Sequence, residues 1–192
     1  MAHRSAEELE AERLLIEAAQ HDRAAFAPLY ERYVDQIFAY AHTLTRNREL
    51  AEDVTAATFA KAIEDIPRFE WRGVPYSAWL YRVASNLVAR QSRRPAWVGL
   101  DAHQPVDGLS PELIVEQRAR AAEVRDAVAE LPDDQREAVL LRFGGDLRNR
   151  EIAEIMGRSE GAVKLLTFRA ITALRKQLGA PLPAERTMEG RR

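Results

Sequence analysis

Apolar side chains along this chain recur at three- and four-residue steps almost from end to end. Phe26, Leu29, Tyr30, Tyr33, Ile37, Phe38, Ala41 and Leu44 line one face of a predicted helix. Asn47 is placed to cap a second helix, in which Leu50, Val54, Phe59, Ile63 and Ile66 are the apolar positions and Pro67 the stop. The stretch RFEWRGVPYS that follows mixes aromatics with the breakers Gly73 and Pro75, and a further helix runs from about Ser77 to Arg94. No alternating run is long enough to argue for a sheet, so the predicted fold class is all-α.

The period lapses between residues 95 and 111, where Pro95, Gly99, Pro105, Gly108 and Pro111 fall, and this stretch reads as a flexible linker. Helical pattern resumes near Glu112 and reaches Leu131. Pro132 and Asp133 open a shorter helix carrying Ala138, Val139, Leu141 and Phe143, which Gly144–Gly145 stops. Asp133 and Asp134 read as a capping pair rather than a catalytic dyad. The predicted plan is an N-terminal helical extension (1–23), a helical domain (24–94), a linker (95–111), a second helical domain (112–178) and a disordered tail (179–192).

Residues 148–176, RNREIAEIMGRSEGAVKLLTFRAITALRK, carry the clearest chemistry. Ile152, Ala153 and Ile155 suit a short first helix, Gly157 a left-handed corner, and Ser159 an N-cap. Val163, Leu166, Ala170 and Leu174 then repeat on the inner face of a second helix. This is a helix-turn-helix layout, whose second helix enters the major groove N-terminus first. Arg158, Ser159, Glu160, Ala162, Lys164 and Leu165 lie near its start, and Arg169, a turn further on, suits a phosphate. An ordinary helical hairpin with a charged outer face is the plain alternative.

Charge sharpens this picture. Among 192 residues the 28 Lys+Arg and 30 Asp+Glu nearly cancel, but residues 82–94 hold four arginines and no acid, and residues 158–176 five basic groups and one acid. Residues 1–53 are acidic, with 11 acids and 6 bases. Two basic stretches on an otherwise acidic chain point to local contact with a polyanion, solvated helix faces being the alternative. In RFEWRGVPYSAWLYRVASNLVARQSRR the aromatics Trp71, Tyr76, Trp79 and Tyr81 are suited to stack on unpaired bases. Arg72, Arg82, Arg90, Arg93 and Arg94 are suited to phosphates. Trp71 and Tyr76, beside turn residues, are the preferred base contacts; Trp79 reads better as core.

Taken together, RELAEDVTAATFAKA, SAWLYRVASNLVARQSRR, LPDDQREAVLLRF and REIAEIMGRSEGAVK, in that order and spacing, resemble the bacterial extracytoplasmic-function (ECF) sigma factors of RNA polymerase over residues 24–178. The resemblance implies that the first domain binds the polymerase clamp helices and opens the −10 element, that the second reads the −35 element near the flap, and that the linker runs toward the RNA exit path. By position it assigns Asp53, Thr55, Ala56, Ala57, Thr58 and Lys61 to the clamp-facing helix. The loop Arg68–Ser77 would capture a flipped base, with Arg68, Trp71, Arg72 and Tyr76 as its contacts. Trp79, Arg82, Asn86, Arg90 and Arg93 would occupy the adjoining DNA-facing helix. It also implies an anti-sigma protein as partner.

Three departures stand out. Ala56–Ala57 replaces a common Gln–Glu; Ala162 and Leu165–Leu166 replace Thr and Ser–Arg, so Leu165 is suited to a thymine methyl; and Arg90 stands where an acid is usual.

The function these features favour is a promoter-specific initiation factor without catalysis or cofactor. A sigma mimic that sequesters an anti-sigma factor is the alternative, supported by Ala56–Ala57. A stand-alone helix-turn-helix regulator leaves the first domain unexplained. With no cysteine there is no thiolate metal site, and His3, His21, His42 and His103 are scattered. No Gly-rich phosphate loop, HExxH or nucleophile elbow occurs. The acidic N-terminus is no signal peptide and no apolar run spans a membrane, so the expected location is the cytoplasm.

Overall fold

A computed structural model describes residues 4–91 and 111–179, with side chains of the second stretch from residue 120 onward. The linker, Arg93 and the tail beyond Gly179 lie outside the described residues. Within them the chain is helical and without strands. Helix α1 spans Ala6–His21, α2 Ala27–Thr45, α3 Arg48–Asp65 and α4 Tyr76–Gln91. Helix α5 spans Pro111–Ala129, α6 Asp133–Val139, α7 Asn149–Met156 and α8 Glu160–Gln177.

Local chemistry accounts for most boundaries. Ser5 and Glu8 form a reciprocal capping box at the start of α1, with bonds of 3.1 and 2.7 Å. The Asn47 side chain caps α3 by accepting from the Leu50 N–H at 2.9 Å. Pro67 sits in a 3₁₀ turn, Ile66–Arg68, that ends α3. The Asp133–Asp134 capping expectation is corrected: Pro132 holds the N-cap position of α6 without a side-chain cap. Asp133 instead pairs with Arg136 at 2.8 Å and Asp134 with Arg158 at 2.7 Å. After α6 the chain runs through a π turn, Leu140–Gly144, which turns Phe143 outward.

The first half is built on α2, α3 and α4, whose inner stripes bury Leu29, Tyr33, Ile37, Val54, Phe59 and Leu80. Helix α1 adds Ile16 and Ala19. The second half has a small core of its own, Val128, Leu131, Val139 and Ala170. Leu141, Leu147, Ile152, Ala153 and Val163 of this half belong to one cluster continuous with the first half. The buried Arg136 closes the α5–α6 corner, donating to the carbonyls of Ala129 at 2.9 Å and Leu131 at 2.6 Å. Those carbonyls lie at the end of α5, where intrahelical donors run out.

The two halves touch through polar contacts as well. Glu137 Oε1 accepts from the Tyr40 hydroxyl and from Ser85 Oγ, both at 2.8 Å. Arg46 donates to the Ala129 carbonyl. At Gly145 a Cβ would lie 2.8 Å from the Tyr81 ring, so the ring packs directly on the backbone there.

Candidate nucleic-acid and polymerase interfaces

On α3, Asp53, Ala56, Ala57 and Lys61 are exposed at i, i+3, i+4 and i+8, one continuous outward face. Lys61 is tied back to Asp65 at 2.9 Å and Glu64 at 3.2 Å. Thr55 and Thr58 do not join this surface. Both are buried, and each hydroxyl donates at 2.7 Å to a carbonyl one turn earlier, Ala51 and Val54. The spacing of the apolar face explains it: 51, 54, 55, 58 and 62 share the inward stripe.

On α4, Trp79, Arg82, Asn86 and Arg90 fall at i, i+3, i+7 and i+11, a single stripe. Arg82, Asn86 and Arg90 are exposed, and Trp79 is half-buried. The stripe continues into the loop before α4, where Arg68 and Arg72 are exposed and Trp71 is half-buried against the core. Arg72 pairs weakly with Glu70 at 3.4 Å, while neither Arg68 nor Arg82 has a carboxylate within 4.0 Å among the described residues. Both cations are therefore available to an incoming phosphate.

Tyr76 is corrected from base contact to support. Its ring is buried, edge-on to Phe69 at 5.0 Å and stacked 5.7 Å under Trp79 at an interplanar angle of 11°. Burial pushes its hydroxyl well above the usual tyrosine range, with the charges of Asp65 and Glu12 adding to the shift. The residue therefore forms a neutral floor that fixes Trp79 rather than a surface of its own. Trp79 in turn is not plain core, since it lines a cleft of about 460 Å³. Arg68, Arg72 and Arg82 line this cleft from the first half, and Glu151, Glu154 and Ile155 of α7 line it from the second.

The helix-turn-helix forms as expected. Gly157 takes φ 63°, the left-handed corner between α7 and α8. Ser159 caps α8 by accepting from the Ala162 N–H at 3.2 Å. Val163 and Ala170 are buried, while Arg158, Ser159, Glu160, Lys164, Leu165 and Arg169 are exposed and Ala162 is half-buried. Phe168, which the sequence pattern did not single out, is 66% exposed one turn beyond Leu165, itself 47% exposed. An apolar pair three apart, outside the inner-face period, was its signal. No cluster of His, Asp or Glu able to hold a metal occurs among the described residues, nor any helix long and apolar enough to cross a membrane.

Comparison with known proteins places these surfaces in context. The family model for Sigma-70 region 2 matches residues 29–98, and that for Sigma-70 region 4 matches residues 121–174. The ECF RNA polymerase sigma factor SigW of Bacillus subtilis is 31% identical over 170 residues, covering 82% of this chain and 90% of that protein. The RNA polymerase sigma-H factor of Pseudomonas aeruginosa is 32% identical over 184 residues, covering 88% and 94%. The ECF RNA polymerase sigma factor BldN of Streptomyces coelicolor is 37% identical over 172 residues; the match covers 85% of this chain but 64% of that longer protein. Among solved structures, the sigma factor RpoE in complex with the anti-sigma factor NepR from Bartonella quintana matches with a TM-score of 0.66 at 24% identity, over 82% of this chain and 98% of that one. CnrH in complex with the cytosolic domain of CnrY matches with a TM-score of 0.62 at 23% identity, over 88% and 97%. At that identity the two structures speak for the fold.

Proposed function

The chain belongs to the ECF family of RNA polymerase sigma factors, and on that premise we propose how its surfaces divide the work of a promoter-directing initiation factor. Asp53, Ala56, Ala57 and Lys61 on α3 bind the clamp helices of core polymerase. The loop Arg68–Pro75 and the Trp79–Arg90 stripe of α4 capture and hold the opened −10 strand. Arg158, Lys164, Leu165 and Arg169 at the start of α8 read the −35 element. Sigma factors are non-catalytic initiation factors, and the active site used is that of the polymerase. The chain acts in the cytoplasm, where its template and polymerase are.

The observation that carries this reading is the alignment of Trp79, Arg82, Asn86 and Arg90 on one stripe that runs into the aromatic–basic loop. An exposed cationic row beside a fixed indole suits an unpaired strand: phosphates meet arginines and an extruded base meets an aromatic edge. Run-off transcription with core polymerase of the source organism tests it. Discrete transcripts that require the protein and disappear with Trp71→Ala are expected.

The closed arrangement also has a place in this scheme. Elements at −10 and −35 lie about 25 base pairs apart, on the order of 80 Å at about 3.4 Å per pair. Two domains joined through Glu137, Tyr40 and Ser85 cannot span that distance, so the halves separate when polymerase takes up the protein. Free protein should then show no promoter-specific gel shift at nanomolar concentration in about 150 mM salt. The sigma factor RpoE of Bartonella quintana is described in complex with the anti-sigma factor NepR, and an anti-sigma protein is accordingly proposed as the partner that holds the inactive form.

The sigma-mimic reading keeps one support: Ala56 and Ala57 are exposed yet offer only methyl groups to a partner. A tight anti-sigma complex combined with no transcripts would favour it.

A further inference from the structure

Within the loop proposed to capture a −10 base, the stretch from Glu70 to Pro75 crosses from Phe69 to Tyr76, and none of its own side chains fastens either end. Pro75 immediately precedes α4; its carbonyl takes the Ala78 N–H at 3.0 Å, but it has no side-chain acceptor, so the Tyr76 N–H receives no side-chain cap from the loop. Glu12 of α1 supplies it from 64 residues away: its Oε2 accepts from the Tyr76 N–H at 2.9 Å. The other carboxylate oxygen accepts from the Tyr33 hydroxyl and from Arg4 at 3.0 Å. At the opposite end of the loop, Gln20 Nε2 donates to the Phe69 carbonyl at 2.7 Å. Glu12 and Gln20 are eight residues apart, on the side of α1 that also buries Ile16 and Ala19.

This is a costly way to cap a helix. Glu12 is fully buried, and a carboxylate in that position must be compensated by donors on every side. Burial holds its carboxyl above the usual range, against the pull of the Tyr76 N–H and the positive charges of Arg4 and Arg32. A Ser or Asp at position 75 would cap α4 locally, exposed to water, at smaller cost. What the local cap would not do is tie the loop to a second helix. The α1 arrangement does: one rigid face grips the carbonyl just before the loop and the amide just after it, which sets the span the loop must cross.

We infer that α1 is a positioning element for −10 recognition, with Glu12 and Gln20 holding the two ends of loop 70–75 so that its aromatic and basic side chains meet the opened strand in register. The inference rests on the proposed role of that loop. Promoter discrimination then depends on residues that lie outside the DNA-facing stripe and outside the clamp-facing side of α3.

Full-length Gln20→Ala, Glu12→Gln and Trp71→Ala, each assembled with core polymerase, provide the test. Permanganate reactivity of −10 thymines would be compared on a native promoter and on the same promoter with its −10 bases substituted; the ratio is the discrimination. Holoenzyme formation and thermal unfolding are measured alongside. Gln20→Ala and Glu12→Gln are each expected to lower the ratio by about three- to tenfold, the effect of one lost hydrogen bond, with holoenzyme formation within about twofold of the parent. A merely structural role would lower the melting temperature and the active fraction but leave the ratio untouched. Should Glu12→Gln not fold, Gln20→Ala carries the test alone. If Trp71→Ala loses discrimination while both α1 variants keep it, α1 does not position the loop. If Trp71→Ala keeps discrimination, the loop is not the −10 reader and the inference falls with it.

Discussion

The two helices proposed to face DNA stand in opposite situations. At the start of α8 the charged side chains Arg158, Glu160 and Lys164 are exposed, and Arg158 is engaged in a half-exposed ion pair with Asp134. On α4 the stripe borders instead a cleft lined by Arg68, Arg72 and Arg82 from the first half and by Glu151, Glu154 and Ile155 of α7 from the second. The second half thus leaves the outer face of its own reading helix exposed, while it walls one side of the cleft beside the exposed arginines of the first half. Such asymmetry suits a factor that must not melt DNA alone. In the proposed scheme strand capture on α4 is the step that commits the complex, and α4 is the helix that the second half borders through a cleft.

The largest predicted effect breaks this asymmetry at the junction. Tyr40 is buried, and its hydroxyl has Glu137 as acceptor. Glu137→Ala removes the carboxylate oxygen that accepts from both Tyr40 and Ser85, at about 1–3 kcal/mol for a buried group that loses its acceptor. At about 2 kcal/mol the balance between closed and open forms moves by roughly thirtyfold. Small-angle scattering should report a larger radius of gyration, and free protein should gain affinity for single-stranded −10 DNA. An unchanged radius would mean that the junction is held by its apolar contacts alone.

Base should open the same junction. Burial, with the charge of Glu137 added, holds the Tyr40 hydroxyl well above its ordinary range, and burial does the same for Tyr81. A group whose pKa is raised in the closed form keeps its proton there and releases it on opening. Its contribution is complete below the ordinary tyrosine value of about 10 and is lost as pH rises toward the closed-form value. Phenolate absorbance and radius should therefore rise together above about pH 10. Absorbance that rises first, with the radius constant, would show these tyrosines to be accessible without opening.

Much of this was legible in the sequence, and the exceptions have physical causes. Caps and corners are local, so Asn47, Gly157 and Ser159 took their expected roles. The apolar period placed α2, α3 and α8, but Thr55 and Thr58 were assigned to the clamp-facing helix by position from the family resemblance, which does not separate the faces of α3. A helical threonine can satisfy its hydroxyl on the preceding turn and be buried at little cost. Tyr76 was misjudged for a related reason: a neighbouring turn residue suggests exposure, while its fate was decided by α1 packing across the loop. Glu12 left a faint trace, an acid at i−4 and i−7 from the buried Ile16 and Ala19. Its partner, the Tyr76 N–H, is a long-range fact that no local pattern carries. The same is true of Glu137, whose hydroxyl partners lie in the other half of the chain.

A smaller effect sharpens the comparison on α8. Leu165 and Phe168 are both exposed and share a face, so truncating either should cost the fold less than about 0.5 kcal/mol. Leu165→Ser is expected to weaken binding to a thymine-bearing −35 element by about threefold in the holoenzyme and to leave a variant lacking the thymine methyl unaffected. Equal loss on both templates would place Leu165 off the base edges.

The smallest effect concerns the ion pair just before the start of α8. Arg158 and Asp134 meet at 2.7 Å, with side chains 49% and 51% exposed. An ion pair that open to water stabilises the fold by at most about 1 kcal/mol. Asp134→Ala should therefore leave thermal unfolding nearly unchanged while releasing Arg158 toward phosphate. Binding of −35 duplex by the holoenzyme should tighten by no more than about threefold, and the salt dependence should steepen, because each additional phosphate contact raises the magnitude of the slope by about one. Arg158→Ala should do the reverse, weakening binding across all sequences alike and flattening the slope by the same amount. If instead Arg158→Ala alters which bases are preferred, Arg158 reads a base edge rather than the backbone.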